Sequence, residues 1–321
     1  MIDPQVPFES QPEQQSLSAP QSQPAQQASA GQQQAPPLDE KLQKLVDKAL
    51  YANGSETAQS LRNFLNGTWL GEPLHAALTD VPLGSWTAAV LFDLIDSVRH
   101  NREWSAAADA SVGVGLAAAA ATAVTGLADW SDVDPPARRV GMIHGLLNIG
   151  ATALFTTSFV LRKKRMRNRG RLFAALGYAA VLYAARLGGE MVYTHRVGVD
   201  RTNGQTFPDD FVAVLPESQL ESDKPTHAEH NGVPILLVRR GPRVFALAET
   251  CSHFGAPLSE GTLTGDSIVC PWHSSRFDLA TGQVINGPAV HPQPCLEARI
   301  QNGQVEVRKP PADQKSVKAI S

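Results

Sequence analysis

The stretch CSHFGAPLSEGTLTGDSIVCPWHSSRFD, from Cys251 to Asp278, contains two of the chain's three cysteines and two of its nine histidines. They form a Cys-x-His pair, then sixteen residues, then a Cys-x-x-His pair, a length that lets a hairpin bring the pairs together. A tetrahedral zinc finger instead sets two cysteines in one pair against two histidines in the other. Here each pair mixes the two ligand types. This favours a [2Fe–2S] cluster with one iron on Cys251 and Cys270 and the other on His253 and His273.

Short apolar runs separated by Gly, Pro and Asn surround this stretch. Alternating or apolar runs of this length, with turn signals between them, are typical of strands in a small antiparallel sandwich or barrel. Cys295 lies in another such run, QPCLEARI, and is expected to be buried there. The five clearest runs are FVAVL (211–215), PILLV (234–238), VFALA (244–248), SIVC (267–270) and QVEVR (304–308).

These residues resemble a Rieske domain over about residues 208–309. Besides the four ligands, the resemblance includes HFGAPL from His253, Pro271 after the second cysteine, the FD pair at Phe277, and GPAVHPQPCLEARIQNGQVEV from Gly287. It implies an all-β domain that carries a [2Fe–2S] cluster with no open iron position, and therefore electron transfer rather than substrate chemistry.

Two departures from the Rieske proteins of cytochrome bc complexes matter. Those proteins have an extra cysteine in each loop, joined as a disulfide, where this chain has Ala256 and Trp272. They also have a Ser and a Tyr whose hydroxyls bond to the cluster sulfurs and raise its potential; this chain has Ser275 but Phe277 at the second position. We expect a midpoint potential between oxygenase-like and bc-like values.

Four apolar segments precede this domain. Each is near the ~20 residues that cross a bilayer, so they predict a membrane α-helical bundle of four transmembrane helices. The alternative is a soluble Ala-rich bundle, which the second and third segments disfavour because they lack a polar face. The segments are 74–95, 106–128, 140–161 and 172–193.

The loops between these segments predict an orientation. The link 162–171, RKKRMRNRGR, is basic at most positions, and Arg99 and Arg102 lie on the same side. Basic loops stay in the cytoplasm. Both termini, and with them the Rieske domain, are therefore predicted on the extracytoplasmic side of a bacterial inner (plasma) membrane that the chain crosses several times.

With alternating helix directions, His75, His144 and His195 all fall at the outer end of the bundle. Ionisable groups at membrane depth usually face a partner or a cavity. One hypothesis is a haem or quinone site between the helices. The simpler alternative is that these histidines cap helix ends and bond to neighbouring groups.

The helical segment also resembles an uncharacterised family of bacterial four-helix membrane proteins, often joined to Rieske domains. The resemblance covers about residues 65–200. It is carried by LHAALTDVPLGSWTAAVLFDLID from Leu74, HGLLN from His144 and LGGEMVYTHRVGVD from Leu187. The family has no established activity, so the resemblance implies membrane placement only.

The chain therefore divides into five predicted parts. Gln, Pro and Ser dominate the first part, which cannot bury enough apolar surface to fold. The second alternates charge and leucine at helical spacing, which predicts one or two amphipathic helices on a membrane surface, on other helices, or in a soluble linker. The parts are a disordered tail (1–37), amphipathic helices (38–66), the transmembrane domain (67–200), the Rieske domain (207–309) and a disordered tail (310–321).

A net charge of -3 and a pI near 6.3 give no electrostatic case for nucleic-acid binding. No nucleophile–base triad, phosphate-binding glycine loop or paired catalytic carboxylates stand out, so no independent catalytic site is predicted. The leading hypothesis is a membrane-anchored carrier of single electrons that works with a redox protein or a quinol. The alternatives are the electron-supplying component of an oxygenase system, and a redox sensor or structural subunit of a membrane complex without turnover.

Overall fold

The computed structural model describes residues 37–51 and 55–311, an α-helical part followed by a β-rich part. The predicted disordered tails, 1–37 and 310–321, lie outside the described residues except for residues 37, 310 and 311. The α-helices described are α1 (Leu38–Tyr51), α2 (Glu56–Asn66), α3 (Leu74–Arg99), α4 (Arg102–Trp130), α5 (Pro135–Lys163) and α6 (Arg167–Tyr193).

Helices α3 to α6 are each long and apolar enough to span a membrane, and each contains one of the four predicted segments. The prediction of four candidate spans is confirmed. Because the connections are short, α3 packs against α4 and α5 against α6 as two antiparallel hairpins. Between the hairpins, Trp86 stacks on Phe155 with ring centroids 4.2 Å apart. Gly115 makes room for this tryptophan, since a Cβ there would lie 2.3 Å from its indole nitrogen.

A network of ion pairs joins the helices at the end away from the β-rich part. The fully buried Arg162 donates to Asp93 at 2.9 Å and to Asp109 at 3.1 Å, and Arg171 pairs with Asp96. These arginines lie within the basic link 162–171, from which the orientation of the helices in the membrane was predicted. They therefore neutralise carboxylates inside the bundle, and the net positive charge of that end comes from exposed residues such as Lys163, Lys164 and Arg165.

The β-rich part contains two antiparallel sheets. Their strands are β1 (Val212–Pro216), β2 (Thr226–His230), β3 (Val233–Arg240), β4 (Arg243–Ala248), β5 (Thr262–Thr264), β6 (Ser267–Val269), β7 (Arg276–Asp278), β8 (Val284–Asn286), β9 (Cys295–Gln301) and β10 (Gln304–Arg308). The first sheet has six strands in the order β1-β10-β9-β4-β3-β2, and the second has four in the order β5-β6-β7-β8.

Apolar residues on both faces of the larger sheet are buried, which explains the near-continuous apolar run in β3. Ile235 and Leu237 belong to one core, whereas Leu236 and Val238 face the core shared with the smaller sheet. All five apolar runs singled out in the sequence form strands. The strands not singled out, β2, β5, β7 and β8, are short or polar, so their pairing partners rather than their own composition define them.

Candidate metal centre

The first ligand-bearing loop connects β4 of the larger sheet to β5 of the smaller sheet, and the second connects β6 to β7 within the smaller sheet. In the first, between β4 and β5, the Cys251 amide donates to Ala256 at 2.8 Å and the Gly255 amide donates to Cys251 at 2.9 Å. Gly255 has φ +87°, a left-handed conformation that suits glycine. In the second loop, between β6 and β7, the Cys270 amide donates to Ser275 at 2.8 Å. Each loop therefore closes tightly around its cysteine.

The structure brings all four predicted ligands together, in two pairs. The imidazole rings of His253 and His273 are perpendicular, with centroids 5.1 Å apart. The thiols of Cys251 and Cys270 are buried and hydrogen-bonded to each other. Within residues 37–51 and 55–311, no three His, Cys, Asp or Glu side chains converge on a single-ion site. Paired sulfurs beside paired nitrogens are the arrangement that two unlike irons require.

The donor atoms fit such a cluster. Nδ1 of His253 is buried and has no hydrogen-bond partner in the described part of the chain, so its lone pair is available. Burial, and the neighbouring His273, hold the pKa of His253 well below its usual range, which keeps the imidazole neutral. The hydrogen bond from Cys251 lowers the pKa of Cys270 to about 7 and favours a thiolate there.

Backbone amides add to this preference for sulfur as an anion. The backbone amides of His253 and Phe254 act to lower the pKa of Cys251, and those of Trp272 and His273 act to lower the pKa of Cys270. At Cys251 the hydrogen bond with Cys270 and burial outweigh the amides and raise its pKa, so the thiolate of the pair is favoured at Cys270. Hydrogen bonds of this kind stabilise negative charge on a sulfur ligand and tune the potential of a bound cluster.

The two predicted neighbours of the cluster, Ser275 and Phe277, are both fully buried. The Ser275 hydroxyl accepts a hydrogen bond from the Ala289 amide at 2.9 Å, which leaves its own proton free to be donated elsewhere. Phe277 packs in the core between the sheets. Cys295, which was expected to be buried, is only partly buried, and its thiol donates to the Ala280 carbonyl at 3.3 Å.

Sequence reasoning missed Gln293, a buried side chain that fixes the first loop. Its oxygen accepts from the Ser252 amide at 2.9 Å, and its amide group donates to Ala248 at 3.0 Å and to Thr250 at 2.9 Å. These bonds hold the residues on both sides of Cys251. The only sequence signal is a polar residue between two prolines, in the segment HPQP.

The histidine pair faces the end of the helical part. The ring of His273 lies 3.8 Å from Asp134, in the connection between α4 and α5. Asn63 of α2 accepts from the Gly287 amide at 2.9 Å and donates to the Ile285 carbonyl at 3.3 Å. Helix α2 and the α4–α5 connection therefore cover part of the histidine side of the β-rich domain.

A small cleft that is open to the solvent separates part of the first loop from the helices. Its walls are mostly apolar, with polar groups contributed by both parts of the chain. The lining residues are Asn66, Pro73, Asp129, Val197, Gly198, Val199, Ser252, His253, Phe254, Pro288, Val290 and His291.

The structure places two of the three helical histidines together. The rings of His75 and His144 are perpendicular, with centroids 6.5 Å apart, whereas His195 follows α6 and takes no part in this pair. Nδ1 of His75 bonds to the Thr122 carbonyl at 3.0 Å. Nδ1 of His144 bonds to the Ala184 carbonyl at 2.8 Å, and its Nε2 lies 3.1 Å from the Asn148 amide nitrogen. This bonding suits histidines that join helices, and the haem or quinone site stays a prediction.

Two antiparallel sheets, two closed loops and mixed Cys–His pairs define an iron–sulfur protein of the electron-transfer class. The chain belongs to the Rieske [2Fe–2S] domain family, which it matches over residues 210–300, and it carries before that domain a predicted membrane protein domain, DUF2231, over residues 71–201. Both resemblances noted in the sequence are confirmed, and so is the [2Fe–2S] cluster as the cofactor of the domain.

Individual relatives match the Rieske part. Ferredoxin CarAc of Metapseudomonas resinovorans is 39% identical over 74 residues, 23% of this chain and 69% of that protein. The anthranilate 1,2-dioxygenase ferredoxin subunit of Burkholderia cepacia is 35% identical over 89 residues, 28% of this chain and 82% of that protein. A solved structure, the ferredoxin of carbazole 1,9a-dioxygenase from Nocardioides aromaticivorans IC177, is 30% identical, with a TM-score of 0.30, 32% of this chain and all of that one covered.

Proposed function

We propose that the protein is a membrane-anchored carrier of single electrons, with its cluster held by Cys251, His253, Cys270 and His273. The observation that carries the proposal is the contact between the histidine pair and the end of a helical part whose four long helices can span a membrane. An anchored carrier of this kind exchanges electrons at the membrane surface rather than by diffusing through the cytoplasm.

The chain's own residues would define the state of the cluster. When bound, a [2Fe–2S] cluster supplies one-electron transfer. The lowered pKa of Cys270 favours an anionic sulfur ligand there, and Gln293 keeps the first loop in place. The neutral imidazoles lie on the side facing the helices, where electrons would enter or leave.

A quinol is the membrane partner that the cleft suits. Its apolar walls suit a hydrophobic ring, and Asn66, Asp129 and His291 offer hydrogen-bonding groups. His253 lines the same cleft, so a bound ring would lie near one ligand of the iron that the two histidines would hold. Spectra recorded with and without a reduced quinol test this: bleaching of the oxidised cluster is expected, and no change at saturating quinol would exclude a quinol donor.

We place the β-rich domain on the extracytoplasmic side of a bacterial inner membrane, from the basic link 162–171 and from Arg99 and Arg102. C-terminal fusions of alkaline phosphatase and of green fluorescent protein test this placement. We expect the phosphatase fusion to be active and the green fluorescent protein fusion to be non-fluorescent. The opposite result would put the cluster in the cytoplasm.

The central test is a combined visible and electron paramagnetic resonance spectrum of the purified full chain. A reduced-state signal with the low average g-value of mixed nitrogen–sulfur ligation is expected. Zinc in place of iron, or a signal from all-sulfur ligation, would overturn the proposal. A Soret band in the same spectrum would instead identify a haem in the helical part.

A second candidate is the electron-supplying component of an oxygenase system. It is favoured by the two relatives from Metapseudomonas resinovorans and Burkholderia cepacia, which are named as a ferredoxin and a ferredoxin subunit. This function requires a cytoplasmic cluster, so the fusion experiment separates it from the first. A third candidate, a redox sensor or structural subunit without turnover, predicts a cluster that neither quinols nor oxygenase partners oxidise or reduce.

A further inference from the structure

Helix α1 packs on the protein with its polar side. Asp39 accepts from Arg138 at 2.8 Å, and the Gln43 amide donates to the carbonyls of Trp130 at 3.0 Å and Val133 at 2.9 Å. Arg138 also donates to the Gln43 oxygen at 2.9 Å. An amphipathic helix of a water-soluble domain does the opposite and turns its apolar stripe toward the protein.

The apolar stripe of α1 faces outward. Leu38 and Leu45 are 64% and 61% exposed, and Leu42 between them is 36% exposed. At about 100° per residue these leucines fall within about 60° of the helix circumference, so they form one continuous stripe. Lys41 and Lys48, both exposed, flank the stripe on one side.

Helix α2 and the turn after it continue this outward apolar surface. Leu61 and Phe64 are 42% and 56% exposed, and Phe64 stacks on Trp69, itself 62% exposed, with ring centroids 6.1 Å apart. The opposite side of α2 is polar and bonded. Its Asn66 donates to Asp129 at 3.1 Å, and its Asn63 binds the segment at Gly287.

This surface lies at the level where the long helices begin and end. Trp130 is the last residue of α4, Val133 lies just before α5, and Trp69 lies just before α3. Aromatic residues and flanking lysines at this level are typical of the boundary between lipid and water.

We propose that α1 and α2 lie in the plane of the bilayer surface and insert their leucine and aromatic stripe into its lipid. This inference rests on the proposed membrane anchoring. The occupant is the lipid interface of the membrane that α3 to α6 cross, because the stripe adjoins the ends of those helices and is flanked by lysines that suit anionic head groups. Helix α2 then contacts lipid on one side and the Rieske domain on the other, and so fixes the height of the cluster above the bilayer.

Spin labels on the full chain, reconstituted in vesicles of phosphatidylglycerol and phosphatidylethanolamine, test this proposal. Labels are placed through Leu45→Cys and, as a matched control, Lys44→Cys, whose side chain is 70% exposed on another side of α1. Both variants carry Cys295→Ser, and the unsubstituted Cys295→Ser protein gives the background. Oxygen, which partitions into lipid, should reach the Leu45→Cys label several-fold better relative to a water-soluble nickel complex than it reaches the Lys44→Cys label.

Two outcomes would overturn the inference. Equal accessibility of the two labels would put the stripe in water. A Leu45→Cys label that neither reagent reaches would mean that protein covers it. Leu38→Cys repeats the measurement two turns earlier, so a local distortion at one position does not decide the result.

A third site separates this inference from the proposed function. Leu176 lies in the middle of α6 and is 51% exposed, so a Leu176→Cys label should be accessible to oxygen and not to nickel. If oxygen but not nickel reaches the Leu176→Cys label, while the Leu45→Cys label does not show this preference, only the in-plane placement of α1 and α2 fails. If the Leu176→Cys label is accessible to nickel, the membrane anchoring itself fails.

Discussion

The chain contains two histidine pairs with similar ring geometry and different chemistry. His253 and His273 meet at 5.1 Å in the Rieske domain, and His75 and His144 meet at 6.5 Å in the helical domain, both with nearly perpendicular rings. The difference lies in the ring nitrogens. Nδ1 of His253 has no hydrogen-bond partner in the described part of the chain, whereas Nδ1 of both helical histidines bonds to a helix carbonyl.

The bonding of the ring nitrogens, rather than the closeness of the rings, determines which nitrogen of each histidine could bind a metal. A carbonyl that accepts from Nδ1 fixes the tautomer and orients the ring, and it leaves only Nε2 as a possible metal ligand. Two buried thiols also lie beside the first pair, while helix backbone and Asn148 surround the second. The first pair therefore lies beside the sulfur ligands of an iron–sulfur site, and the second pair joins helices through Nδ1.

The largest expected effect comes from exchanging one histidine in each pair for glutamine. His253→Gln should lose the cluster and both of its irons, because the iron that the two histidines would hold keeps only one protein ligand. His144→Gln should keep two irons per chain and an unchanged visible spectrum. Iron analysis and visible absorption check both. A coloured His253→Gln protein would show that His253 is not needed to hold the cluster. Loss of visible bands from His144→Gln would show that His144 binds a coloured cofactor.

The side chains that hold the surroundings of each histidine pair should contribute differently to the free energy of unfolding. Gln293→Leu leaves the amide of Ser252 and the carbonyls of Ala248 and Thr250 without their partner, at about 1–3 kcal/mol for each buried group. We expect its unfolding free energy to fall by about 3 kcal/mol or more. Asn148→Leu, which removes bonds only to His144, should cost about 1 kcal/mol. Thermal unfolding in detergent compares the two variants, and equal losses would contradict this ranking.

Ser275→Ala should lower the reduction potential of the cluster and leave its iron content unchanged. One hydrogen bond is worth about 1 kcal/mol, and this corresponds to roughly 40 mV for one electron. A redox titration followed by visible circular dichroism measures the shift. An unchanged potential would mean that the Ser275 hydroxyl does not donate to a cluster sulfur.

Phe277→Tyr should move the potential in the opposite direction by a smaller amount. The added hydroxyl supplies the second donor of the bc-type proteins, but the ring is fully buried and has little room for it. The same titration measures this shift, with Leu279→Met as a control for repacking of the same core. A lower potential for the tyrosine variant would show that its hydroxyl does not bond to sulfur.

The parts predictable from sequence were those with local signals. The four long helices follow from apolar runs, and the ligand loops follow from Cys–His spacings of one and two residues. The contacts that could not be predicted join distant residues. Asn63 meets Gly287 across 224 positions, and Gln293 reaches Ser252 across 41. Nothing in the local pattern of either residue identifies its partner.

Helix α1 shows a different limit of sequence reasoning. Its leucine spacing predicts an amphipathic helix, and the structure has one at Leu38–Tyr51. The spacing does not say which side faces the protein, since Asp39 and Gln43 find their partners only when Arg138 and Trp130 are brought beside them. The same pattern therefore fits a soluble linker and a helix on a membrane until the tertiary contacts are known.

The side chain of His273 is only 19% exposed because Asp134 and the end of the helical domain stand where bulk water would otherwise be. Fixed protein groups do not have to turn when a neighbouring charge changes, whereas water dipoles do. Each one-electron step at this edge would therefore require little rearrangement of its surroundings. A boundary made of fixed groups on this side of the histidine pair therefore favours fast exchange of single electrons.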